Sequence, residues 1–408
     1  MKDVIMVKSG QTVPYFFLYF LVLLFYSSMK LYLLWGVDQL YISIPAFLFG
    51  FSYFSQTRTW LRVNKWYFIA CVLFYLATIR EYYGSSPLYY FVAIVKPICI
   101  YFVLILPLKV KTELLRLITI SFAIILGISL VFYLLVTFGF TIPSYGQISF
   151  NDGQYSFVNY GLYIQSMNIE DFYRFNSVFL EPGHVAMISA FILYAQGFRI
   201  KDNIFLVLIL ICALVTLSLA GYVLILGGFV LFQFANQKSA AKYRRLSLFF
   251  LSVLLLTNFA IEYNNGDNLI NERIVERLII DETTGLLTGW NRTSDVADIY
   301  FSNAISKGDI WSGIGVDKYN VILKTTNAFN AAGYKPYLLT YGIVGTLLMF
   351  FFYFCISKGG LSKKKMYLML LLYMFCFMQR SYPDWWAWIL LFICSVDEKN
   401  RLNNPQTI

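Results

Sequence analysis

Apolar residues in this chain come in runs, near 14–29, 40–55, 66–79, 88–106, 117–139, 177–197, 204–218, 220–235, 246–261, 337–357, 366–379 and 384–396. A bilayer span takes about 20 apolar residues, so twelve spans need about 240. The 408-residue chain is 59% apolar, which meets that requirement, and only 13% charged. A soluble domain carries about 25% charged residues. No water-soluble fold of this size buries such an excess, and the same figures exclude disorder, collagen and coiled coil. The runs predict an all-α fold: a polytopic integral membrane protein of about twelve transmembrane helices, one membrane domain over 1–408. The 204–235 block reads either as two spans with a tight turn or as one broken hairpin. No small-residue cleavage site follows the first run, so the first span is expected to be retained.

Placement of charge sets the orientation. With the N-terminus inside, the inner loops 56–65, 107–116, 198–203, 236–245 and 358–365 hold 16 Lys and Arg against two acids, Glu113 and Asp202. Every inner loop then follows the positive-inside rule, with both termini in the cytoplasm. The net charge of +10 is thus a topology signal, and clusters such as Lys242–Arg244–Arg245 and Lys363–Lys364–Lys365 do not call for nucleic acid. The six cysteines lie inside apolar runs with no CxxC pair, as small packing residues do.

Two outer loops are long, 141–176 and 263–335. Loops beyond about 15 residues usually carry function or structure of their own. In the larger one, Ile270, Ile274 and Leu278 share one helical face, which predicts an amphipathic helix near 268–280 resting on the membrane. A second helix is expected over 294–306, followed by a Gly-rich turn at 312–315.

Ionisable residues within or bordering the runs are few: Lys96, Glu181, His184, Arg380 and Asp384, with Arg174 just before the sixth run. In the topology above all lie in the outer half of the bilayer or at its outer edge. An ionisable group at a span centre costs about 2.5–3.5 kcal/mol on insertion scales, so such groups normally have a purpose. Lys96, followed by Pro97 in mid-run, is either a snorkelling lysine beside a kink or a cation facing an anionic substrate. Glu181 precedes Pro182, which suits a first helical position, so Glu181 is expected at a helix start with His184 one turn on. A carboxylate and the chain's only histidine near Arg174 suit general acid–base work, or else form an ion pair beside a bonded core histidine. Arg292 sits between the two expected loop helices. Arg380 and Asp384 flank Pro383 at an outer turn where they can pair, and Trp385, Trp386 and Trp388 fit an interfacial aromatic belt.

Three stretches carry a likeness. RFNSVFLEPGHVA (174–186) is similar to the R-F-x-S-x-F-x-E-P-x-H motif of capsule and exopolysaccharide polymerases. TLSLAGYVLILGG (216–228) resembles the Ser-and-Gly-bearing span that follows it. Gly289 to Gly345 resembles a late outer loop: Arg292 before a helix, the turn WSGIGVDKY, then NAFN leading into YGIVG. The chain as a whole resembles the Wzy-type polysaccharide polymerases of the O-antigen polymerase and ligase superfamily. Ligases of that superfamily carry a loop histidine where this chain has Thr325-Thr326-Asn327, which favours polymerase over ligase.

The resemblance implies a GT-C-like, metal-independent glycosyltransferase at the outer face of a bacterial cytoplasmic membrane. Its donor and acceptor would be undecaprenyl-diphosphate-linked glycans, its surroundings the lipid bilayer, and a chain-length regulator protein a further partner. It implies Glu181, His184 and Arg174 as catalytic residues and Arg292, Lys96 and Arg380 as substrate-binding ones. No cofactor and no metal are expected, since no carboxylate pair or His/Cys cluster faces outward at ligand spacing. A lipid-linked sugar flippase is the competing class. It should show repeat symmetry and midplane polar residues, and this sequence has neither.

Overall fold

The structure, a computed structural model, describes residues 15–57, 64–79, 90, 93–150, 155–167, 174–236, 247, 251, 254–255, 258–259, 261–268, 270–280, 294–325, 333–360, 362–380 and 382–395. Helices dominate them: α1 (Tyr15–Ser28), α2 (Gln39–Thr57), α3 (Lys65–Thr78), α4 (Val95–Ile105), α5 (Leu108–Thr137), α6 (Pro182–Ala195), α7 (Ile204–Val215) and α8 (Leu219–Asn236). There follow α9 (Asp295–Ser306), α10 (Asp309–Ser312), α11 (Val316–Thr325), α12 (Tyr334–Gly359), α13 (Lys363–Gln379) and α14 (Trp386–Cys394). The mostly helical fold is the one expected from the apolar runs. Among the described residues, α5 with 30 residues and α12 with 26 are long and apolar enough to cross a membrane. Six further apolar helices, α1, α3, α4, α6, α7 and α8 (counted to Ala235), are shorter. Large apolar side chains stand exposed along several of these helices, among them Phe16, Leu48, Val131 and Phe375.

The chain divides into two compact units. The first comprises Met1–Phe122, Ile299–Asn327 and Gly333–Ile408; the second comprises Ala123–Asp298 and Ala328–Ala332. In the first unit, α3 packs along α12, α1 along α2, and α14 against α1. Its core is aromatic: Phe54 stacks on Phe102 at 5.2 Å, and Tyr353 meets Tyr373 and Phe392 at 4.9 and 5.0 Å. Such pairs add to burial through the ring quadrupole. Trp385, Trp386 and Trp388 belong to this core. Trp386 is fully buried, and Trp388 lies 5.8 Å from Tyr373. The aromatic belt expected from these tryptophans is therefore corrected: the rings fill the interior of the unit.

Helix α12 breaks at Gly342, whose φ of 72° and ψ of 179° are non-helical. The break frees carbonyls one turn earlier, and the turn after α10 meets them: Ile314 N–H donates to Leu339 O at 2.7 Å and Gly315 N–H to Thr340 O at 3.0 Å. Gly313, with φ 73°, lies where a Cβ would stand 2.3 Å from Thr340 O. The SGIG turn and the YGIVG stretch, far apart in sequence, thus form one backbone joint. Tyr337, Tyr341 and Phe377 cluster beside it with Val316 and Phe350 against them.

In the second unit the 204–235 block is two helices, joined through Thr216–Leu217–Ser218 with Leu217 at φ 49°. Ser218 heads α8, its hydroxyl accepting from Gly221 N–H at 3.4 Å. Helix α8 packs on α6 closely enough that a Cβ on Gly221 would lie 2.2 Å from Ala186 Cβ. The first long loop adds a feature the helical reading did not contain. Strands β1 (Gln147–Phe150), β2 (Tyr155–Asn159) and β3 (Ile164–Ser166) form an antiparallel meander in the order β1-β2-β3. Its register pairs Phe150 with Tyr155 and Asn159 with Ile164.

Two loop expectations are answered. The helix over 294–306 is present as α9, capped by Ser294, whose hydroxyl accepts from Ala297 N–H at 3.3 Å. The amphipathic segment 268–280 is corrected from a regular helix to short turns, of π type over Asn271–Val275 and 3-10 over Glu276–Leu278.

Substituting Gly342→Ala should lower stability by about 1–3 kcal/mol through strain at positive φ, plus the clash of its Cβ, 2.5 Å from Gly313 N. Thermal unfolding of the purified protein in detergent measures this; an unchanged midpoint would contradict the joint described.

Candidate functional site

The segment 174–186 lies in the second unit and is pinned from three sides. Ser177, at φ 57°, hydrogen-bonds through Oγ to Ser129 Oγ on α5 at 2.8 Å, and its carbonyl accepts from Ile164 N–H of β3 at 3.0 Å. Asn176 Nδ2 donates to Phe179 O at 3.0 Å, closing the turn. Phe175 packs against Tyr133 at 5.4 Å and parallel to Tyr163 at 6.5 Å. The sheet of the first long loop is thus part of the mould that shapes this segment.

Glu181 occupies the position expected for it. Its backbone is extended (φ −141°, ψ 144°), Pro182 is the first helical residue, and α6 begins there. The Glu181 side chain makes no capping bond to α6 and is partly exposed, so its carboxylate stands at the positive end of the helix dipole. His184 follows within the first turn, its N–H donating to Glu181 O at 3.1 Å. Its side chain is buried, at 2% exposure. The two groups considered for proton transfer therefore differ in access: Glu181 can be reached from outside the unit, and His184 lies within it.

Arg174 is drawn to the turn between α7 and α8. Its Nε donates to Thr216 O at 3.3 Å, and its charge is felt at Tyr222. The Tyr222 hydroxyl donates to Leu214 O and Thr216 Oγ1 to Ala213 O, so the carbonyl that holds Arg174 belongs to a braced turn. Two stretches singled out in the sequence, 174–186 and 216–228, are thereby joined by an arginine–carbonyl bond and by the Gly221–Ala186 approach.

Lys96, Arg380 and Asp384 lie in the first unit. Lys96 forms an ion pair with Asp384, Nζ to Oδ2 at 3.3 Å, with both side chains about a quarter exposed at 24% and 25%. It also lies 5.4 Å from the Phe74 ring centroid. Asp384 is thus engaged by Lys96, 288 residues away, where the sequence left open a pair with Arg380. Pro97 sits in the first turn of α4, where a missing N–H costs no helical bond, and so makes no kink inside that helix. Arg380 ends α13 in extended backbone and pairs in a parallel bridge with Gly333. Arg292 and the stretch 327–330 lie outside the described residues.

Lys30 lies in the electrostatic reach of Asp384, a neighbour that sequence reasoning missed. Ser28 Oγ accepts from Ala387 N–H at 3.0 Å, which brings the residues just after α1 beside the turn that carries Asp384. Burial pushes the Lys30 ammonium below its ordinary value, while the Asp384 and Asp38 carboxylates act in the opposite direction. The available signal was a lysine at the outer end of the first run, against the positive-inside trend.

No family model matches the chain, and neither a curated relative nor a solved structure matches it.

A double-mutant cycle of Lys96→Met and Asp384→Asn should give a coupling of about 1 kcal/mol, the upper range for a pair open to solvent on one side. Additive effects in thermal unfolding would mean that the pair contributes nothing.

Proposed function

We propose that this protein is a glycosyltransferase of the polysaccharide-polymerase type. In this reading it is a multi-pass protein of about twelve spans in a bacterial cytoplasmic membrane, with both termini in the cytoplasm and the loops 141–176 and 263–335 outside. A growing glycan on undecaprenyl diphosphate is transferred to a hydroxyl on the non-reducing sugar of another lipid-linked repeat unit. The C–O bond from the donor sugar to the diphosphate breaks as the bond to the acceptor oxygen forms, and the acceptor proton passes to a base.

The observation that carries the reading is the joint arrangement of Arg174 and Glu181. One peptide segment presents a guanidinium anchored on the Thr216 carbonyl and, seven residues later, a partly exposed carboxylate at the start of α6. A leaving diphosphate carries about two to three negative charges, and fixed cations are most effective where such charge develops. Arginine suits this because its planar fork binds phosphate oxygens in pairs. Glu181 is the base for the acceptor hydroxyl by virtue of its access. His184, buried one turn on, is the second candidate. Arg292 is a further phosphate-binding residue in this reading. Lys96 is balanced by Asp384 within the first unit. Lipid tails enter sideways between helices, so the reaction needs no polar path from the cytoplasm. A chain-length regulator would act on the same machinery from outside.

Glu181→Gln should lower polymer formation by about 10²–10⁴-fold and Arg174→Ala by about 10²–10³-fold, with both proteins still in the membrane. Purified protein incubated with synthetic lipid-linked repeat units should yield a ladder of glycans, read on a gel. Translocation of single units with no change in length would point to a flippase instead, and transfer to another acceptor to a ligase. The ladder should also form in excess chelator; loss that Mg²⁺ or Mn²⁺ restores would exclude a purely electrostatic mechanism.

A further inference from the structure

A second cationic cluster lies in the first unit, where the two long helices have their charged ends. Lys111 stands in the first turn of α5 and Lys358 in the last turn of α12. Between them is the start of α3. The Lys358 ammonium lies 3.9 Å from the Trp66 ring centroid, Lys65 reaches the same ring at 5.8 Å, and Lys111 lies 5.7 Å from the Tyr67 ring. The arrangement is tied together through Gly359, whose carbonyl accepts from Asn64 Nδ2 at 3.3 Å. A Cβ on Gly359 would fall 2.5 Å from the Tyr67 ring.

The balance of charge is the telling point. Lys111 is buried at 9% exposure, and its ammonium donates to the Leu104 carbonyl at 2.6 Å. The carboxylate on the same stretch of α5, Glu113, is already held by Arg116 through bonds of 2.8 and 2.5 Å. Three lysines thus converge on two aromatic rings, and the acid nearest to them in sequence is engaged elsewhere. A buried charge is costly unless an opposite charge compensates it. The rings also mark a depth. Trp and Tyr gather where hydrocarbon gives way to headgroups, and basic pockets between helices there hold anionic lipid. Phe68, directly after Tyr67, and Phe354, one turn before Lys358, expose their rings along the same helices, where acyl chains would run.

We propose that Lys65, Lys111 and Lys358, seated on Trp66 and Tyr67, bind the phosphate headgroup of an anionic membrane phospholipid. The lysines compensate the phosphate, the ring edges meet the glycerol region, and the exposed phenylalanines meet the tails. The proposal concerns a structural lipid and does not depend on the glycosyl-transfer reading, since its readout is bound lipid and not glycan.

The test uses the full-length protein in neutral detergent, with phosphatidylglycerol or phosphatidylcholine titrated and bound lipid counted by native mass spectrometry. Phosphatidylglycerol should bind about tenfold more tightly than phosphatidylcholine. The double variant Lys65→Gln/Lys358→Gln should lose about fivefold in phosphatidylglycerol affinity for each charge removed, while Lys65→Arg/Lys358→Arg retains it. A control pair on exposed positions of α11, Lys318→Gln/Lys324→Gln, should leave the affinity unchanged. Equal affinity for the two lipids, or a glutamine variant that binds like wild type, overturns the proposal. So does inorganic phosphate binding as tightly as phosphatidylglycerol, which would assign the cluster to a free anion. Should the glutamine variant fail to fold, the wild-type comparison of the two lipids decides alone.

Discussion

Backbone carbonyls released at helix ends and breaks, far from bulk water, must find donors, and much of this architecture follows from how they do so. An unmet amide or carbonyl in such surroundings costs several kcal/mol. Here the donors come from distant parts of the sequence. Ile314 and Gly315 serve the carbonyls freed at the Gly342 break, Arg174 serves Thr216, Lys111 serves Leu104, and Asn64 serves Gly359. The Tyr353 hydroxyl serves Pro383 at 2.6 Å. Short helices that would be weak alone are thereby fixed to one another, and three cationic or hydroxyl side chains are placed as a by-product of backbone satisfaction. Arg174 is the clearest case: the bond that completes the α7–α8 turn also sets the guanidinium on the segment that carries Glu181.

What the sequence made legible was mostly local. The start of α6 at Pro182, the extended backbone of Glu181, the helix over 295–306 and the positive-φ glycines of the SGIG turn all follow from short-range rules and are present. The meander at 147–166 was legible in principle, since Ile148, Phe150, Tyr155 and Phe157 alternate with polar residues around Asn151-Asp152-Gly153, a turn signal. Apolar run length, the signal that marks the helices, does not distinguish strands this short from a loop. The partner of Lys96 was not legible. Nothing local links it to Asp384 across 288 residues, and periodicity does not tell a tryptophan facing lipid from one facing a tyrosine core. Lys30 was hidden for the same reason, because its place beside the 382–387 turn depends on the Ser28–Ala387 bond.

The two groups of titratable residues occupy different units and are different in kind. In the first unit Lys96 and Asp384 balance each other beneath an aromatic core, an arrangement that fixes structure. In the second, Arg174 is bonded to the Thr216 carbonyl, and Glu181 is set at a helix start without capping it. A guanidinium and a carboxylate carried on one segment suit a reaction with an anionic leaving group, and the proposed chemistry is accordingly assigned to the second unit.

The hydrogen bond from Ala387 N–H to Ser28 Oγ has a consequence for biogenesis. The unit that contains it is discontinuous, with residues 123–298 interposed, so α1 completes its packing with a helix made long after it. During translation α1 cannot complete this packing until the interposed residues and α14 have been made, and the aromatic core around Trp386 closes only then.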